Sequence, residues 1–173
     1  MATTNVDGLY FSFHPNYAVQ KYDEWQHFRT VFMPVGKAAV DLVAFKISAN
    51  ADVVWLIEAK DFRRQSGEKN QSGAGLPAHT ARKIRETLEG LADAAANALI
   101  TEERDHASKA VARTPRVVLH LEPFDPETPT KLYRHSIPLI FQKLKQLVKD
   151  IDPNPLVLTI ASTPKYGVPW TVS

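Results

Sequence analysis

Three residues in the first half of the chain, Asp41, Glu58 and Lys60, have the charge types of a hydrolytic centre. They belong to the stretch Val40 to Lys60, VDLVAFKISANADVVWLIEAK, in which two apolar runs flank a short polar segment. That pattern predicts an antiparallel hairpin. With its turn centred on Ala49-Asn50, Asp41 falls opposite Glu58. Side chains alternate along a strand, so Asp41, Val43 and Phe45 share a face with Leu56, Glu58 and Lys60 of the partner. Like charges opposed across a ladder are destabilising, and carboxylates leaving water require a compensating cation. The arrangement therefore asks for a metal ion as well as the lysine. The competing reading is an ordinary ion pair of Glu58 and Lys60 at an exposed strand end, with Asp41 a third member of a cluster worth at most about 1 kcal/mol.

The elements that would position these residues follow from periodicity. Apolar groups at Ala18, Tyr22, Trp25 and Phe28 predict an amphipathic first helix from Asn16. Val31 to Val35, VFMPV, reads as a short strand that Pro34 confines to an edge or an end. After the hairpin, 63–75 is polar and rich in Gly and Ser, a loop. Pro77 opens a helix over Leu76 to Ile100, with Ala81, Ile84, Leu88, Leu91, Ala95 and Leu99 on its inner stripe. Residues Thr101 to Thr114 extend it or form a connector. A buried-type strand, Arg116 to Leu121, precedes a helix from Ser136 and a last strand, Leu156 to Ala161; the tail is irregular. Gly8 to Pro15 fits either a leading strand or a packed arm. Apolar strands separated by helices imply an α/β protein, an α/β/α sandwich around a mixed sheet, antiparallel at the hairpin and parallel across the helical crossovers.

The 173 residues suit one domain spanning 1–173, with 44% hydrophobic and 23% charged residues, and no apolar run approaches the roughly 20 residues of a membrane helix. The start of the chain lacks the basic and apolar blocks of a signal peptide, so the expected location is cytoplasmic. The absence of cysteine excludes disulfides, thiolate zinc sites and a cysteine nucleophile. Net charge is only +2, but it is unevenly spread. Arg63, Arg64, Lys69, Arg82, Lys83 and Arg85 face Glu68 alone, and Lys131, Arg134, Lys143, Lys145 and Lys149 lie in a stretch with no acid. Two such segments could line a groove for a phosphate backbone, although each taken alone reads as a solvated face. His79 fits a solvated helix end and His120 a satisfied buried histidine. No phosphate-binding glycine loop or serine-nucleophile motif is present.

Asp41, a gap of one hairpin and then Glu58-Ala59-Lys60 resemble the signature of the PD-(D/E)XK, or restriction-endonuclease-like, nuclease superfamily. The element order resembles that family's αβββαβ core, followed by a C-terminal helix and strand. The likeness covers roughly Tyr17 to Leu121, and Val40 stands where the pattern has proline. It implies a metal-dependent endodeoxyribonuclease using Mg²⁺, with Mn²⁺ as substitute. Asp41, Glu58 and the Ala59 carbonyl would be its ligands, and Lys60 would hold the attacking water. An acid from the first helix, Glu24 in preference to Asp23, would join them. Arg63, Arg64, Lys69, Arg82 and Lys83 would contact nucleic acid, DNA rather than RNA, with a homodimer or a partner subunit left open. The alternative is a non-catalytic module of the same fold that binds nucleic acid or a partner.

Overall fold

A computed structural model describes residues 2–48, 52–63, 75–122 and 137–173. The chain is an α/β protein built on a mixed five-stranded sheet: β3 (Tyr17–Lys21), β4 (Leu42–Lys46), β5 (Val53–Asp61), β6 (Thr114–Glu122) and β7 (Leu156–Leu158), adjacent in that order. The first two pairings are antiparallel and the last two parallel. Helices make the parallel crossovers, α1 (Leu76–Asn97) with α2 (Thr101–Val111) between β5 and β6, and α3 (Ile137–Val148) between β6 and β7.

The two faces of this sheet are covered differently. Val43, Phe45, Val54, Leu56, Val117 and Leu119 pack under the helices, against Ile84 and Leu91 of α1, Ala107 and Ala110 of α2, and Ile140 and Leu144 of α3. The alternate residues Leu42, Ala44, Ile57, Ala59 and Val118 meet Leu9, Phe11, Phe13, Trp170 and Val172. These belong to a three-stranded antiparallel sheet of β1 (Ala2–Val6), β2 (Leu9–Phe13) and β8 (Trp170–Val172). The α/β class and mixed sheet are as the periodicity implies, but a small sheet lies where a second helical layer was expected. Strands buried on both faces read as continuous apolar runs whichever element covers them, so periodicity does not distinguish the two.

Two further expectations are corrected. Tyr17–Lys21 is a strand, and the helical turns begin only at Tyr22. The segment VFMPV is not a strand: Phe28–Phe32 winds as a π-helix and Met33–Val35 as a 3-10 turn, closed by Gly36 at φ 79°. Its Val31, Met33 and Val35 are exposed, so they had no sheet to join. The spacing of Tyr22, Trp25 and Phe28 is truly helical, and all three are buried, but the strand before them has no distinguishing alternation. At the other end, β8 forms within the supposedly irregular tail by pairing Trp170 with Phe13.

Candidate functional site

The hairpin register places Leu42 against Ile57 and Val43 against Leu56, so Asp41, one residue before β4, stands across from Glu58. The backbone leading to it is held from outside the sheet. Ala38 N–H donates to Glu86 of α1 at 2.6 Å and Val40 N–H to the Thr87 hydroxyl at 3.0 Å. The Asp41 carbonyl accepts from Tyr22 N–H at 3.1 Å. These bonds satisfy a stretch that lacks a strand partner and fix where the Asp41 side chain starts. Its Oδ2 then accepts the Ala59 N–H at 2.7 Å, taking the place of a ladder carbonyl just beyond the end of β4.

Glu58 is 1% exposed, too deep for a carboxylate without compensation. The compensation comes from two ammonium groups. Lys83 of α1 donates to both Glu58 oxygens, at 2.8 and 2.9 Å, and Lys60 lies 3.0 Å from Oε1. Burial raises the Asp41 carboxyl to about 6, with the Glu58 charge adding to the rise while Lys83 and Lys60 oppose it. For Lys60, burial alone acts downward, but the charges of Glu58 and Asp41 hold its ammonium above its ordinary value. Two carboxylates and two ammonium groups thus form a half-buried cluster whose charges balance, with Asp7 at its rim 4.0 Å from Lys60.

This arrangement does not fit a magnesium ion well. Both Glu58 oxygens are already held by lysine, Asp41 Oδ2 by a backbone N–H, and a dication would have to displace ammonium groups that neutralise the acids. Among the described residues, no group of three or more His, Asp or Glu side chains could hold a metal ion. The compensating charge demanded by the opposed carboxylates is real, but Lys60 of β5 and Lys83 of α1 supply it.

The other candidate residues scatter. Glu24, the favoured helix acid, is exposed and pairs with Lys21 at 2.5 Å. Asp23 is the neighbour that feels Asp41: burial raises its carboxyl, the Asp41 charge raises it further, and its Oδ1 is buried without a hydrogen-bond partner among the described residues. Of the cations assigned to nucleic acid, Arg63 is clamped on Asp61 through two guanidinium bonds of 2.9 Å. Arg82 binds Glu86 and the Gly36 carbonyl, and Lys83 binds Glu58. Arg64 and Lys69 lie outside the described residues. His120 is fully buried, with Nε2 hydrogen-bonded to Glu122 at 3.1 Å, but its Nδ1 has no hydrogen-bond partner among the described residues, so the expected satisfied histidine is only half satisfied. The residue that spacing missed is Lys83 in its structural role. Its signal was a lysine aligned with Leu76, Thr80, Thr87 and Gly90, a row of small or apolar groups that turns inward.

No protein-family model matches the chain, and no solved structure matches it. The chain is 30% identical to a Cysteine--tRNA ligase of Neisseria meningitidis serogroup A, an alignment that takes in all of this chain and 30% of the length of that relative. This similarity overturns the expected metal-dependent nuclease, and with it the hydrolase and endonuclease reading: the named relative is a ligase, an enzyme of a different class. The lysine-neutralised cluster gives the physical reason, since the acids that suggested a metal centre are paired within the protein.

Proposed function

We propose that this chain is the RNA-contacting part of a tRNA-ligase-related protein of the cytoplasm. The observation that carries this reading is the alignment of its whole length with one segment of a Cysteine--tRNA ligase. Transfer RNA is a polyanion, and a segment that contacts it needs cations not already paired with acids. Helix α3 is favourable in this respect. Lys143 and Lys145 are exposed along it and Lys149 just past its end, and the adjacent acid Asp150 is held by Arg85 through two bonds of 2.8 Å. Those three lysines are the phosphate contacts. The Asp41, Glu58, Lys60 and Lys83 cluster is internally neutral and sets the geometry of the sheet end beside α1. The partner is RNA in place of the expected DNA. Fluorescence anisotropy with labelled transfer RNA and with duplex DNA of equal charge tests this: tighter binding of the RNA is expected, and equal binding or none removes the proposal.

A further inference from the structure

Away from the lysine-neutralised cluster, the helical turns after β3 and the connector between α1 and α2 enclose a cleft of about 420 Å³. Its polar side is built around His27, which is 6% exposed. Glu103 of α2 accepts the backbone N–H groups of Gln26 and His27 at 2.7 and 3.0 Å, satisfying the open start of the helical turns and fixing the imidazole. The ring Nε2 lies 2.7 Å from Asp93 Oδ2, and Asn97 donates to Asp93 Oδ1 at 2.9 Å. The Asn97 and His27 bonds hold the Asp93 carboxyl below its usual range, so it is an ionised, acceptor-only group. Nε2 therefore carries the hydrogen of this bond.

The opposite side of the cleft is apolar. Leu99 is 89% exposed and Val31 46% exposed, and both line the opening. An exposed leucine in a tight helix connector gains nothing from folding, and apolar surface rimmed by convergent polar groups marks a binding site. The polar groups are biased in one direction. Asp93 and Glu103 are carboxylates with lone pairs to spare, and no lysine or arginine is among the described lining residues.

We propose that this cleft binds a small primary amine with an apolar body, its ammonium group donating to Asp93 and its body lying on Leu99 and Val31. The proposal is independent of the RNA-contacting role. Isothermal titration of the purified chain with benzylammonium, benzoate and benzyl alcohol tests it. Benzylammonium alone is expected to bind, and Asp93→Asn to weaken it by about tenfold or more. Leu99→Lys, at an exposed position, is expected to abolish binding without moving the unfolding midpoint. Equal binding of benzoate or benzyl alcohol, undiminished binding by Asp93→Asn, or no heat from benzylammonium would each overturn the assignment.

Discussion

Glu58 is where the energetics of this molecule concentrate, because a carboxylate so deeply buried depends on its cations. Removing one partner of a buried pair is far more costly than the pair is worth against an apolar replacement. Lys83→Met should therefore destabilise the protein by about 3 kcal/mol, measured as a fall in the urea midpoint. Asp41 behaves in the opposite sense. Its carboxyl is raised to about 6, so the folded protein holds that proton more tightly than the unfolded chain does. The resulting stability is fully present below the ordinary carboxylate range and is lost as pH rises through about 6. Asp41→Asn should accordingly raise the urea midpoint at neutral pH, and its advantage should vanish in acid; a variant less stable at neutral pH would show that the Asp41 charge is favourable. Millimolar magnesium should leave the unfolding midpoint of the wild type unchanged, because the acids are already neutralised, whereas a clear rise would mean that the ion displaces lysine. The opposition of Asp41 and Glu58 was legible in the sequence because a hairpin register follows from one turn position. The source of the compensating charge was not, because Lys83 arrives from a helix that begins fifteen residues after β5 ends.

Among the elements, α1 does most to position the cluster, and its sequence shows this in part. The apolar stripe through Ile84 and Leu91 and the opening Pro77 mark the helix plainly. Gly90 reads as a weak point in that pattern, but it is a close approach: a Cβ there would sit 2.2 Å from the buried Tyr22 hydroxyl. Gly90→Ala gains helix propensity of up to about 1 kcal/mol, yet overpacking at such a contact costs about 1–3 kcal/mol, so a net loss of stability by thermal or urea unfolding is expected. The strand Tyr17–Lys21 could not be separated from the helical turns that follow, since YAVQK has no clear alternation and only pairing with β4 decides its state. Likewise β8 needs β2 beside it, a contact between opposite ends of the chain that local pattern does not encode. On α3 and just past its end, replacing Lys143, Lys145 and Lys149 with glutamate should weaken RNA binding and reduce the slope of log affinity against log salt by about 2 to 3. Because these side chains are exposed, the unfolding midpoint should stay near that of the wild type.

For the whole molecule, the hairpin, the helical crossovers and the face shared by Asp41, Glu58 and Lys60 follow from alternation and turn chemistry, whereas the edge strand β3 does not. The activity did not follow, because the same residue types at the same spacing serve a metal centre or an ion cluster, and packing decides between them. Here packing brings Lys83 to Glu58 and Arg63 to Asp61, which takes cations away from the groove expected beside the hairpin. Exposed positive charge then lies on α3, in a chain that aligns throughout with part of a Cysteine--tRNA ligase. The most direct measurement is an equilibrium titration of labelled transfer RNA against the wild-type chain and the α3 triple variant, with duplex DNA as competitor. The account predicts that wild type binds the RNA in a salt-dependent manner, that DNA competes poorly, and that the variant loses most of the affinity. Binding in which DNA competes as well as RNA, or which survives the three charge reversals, would contradict it.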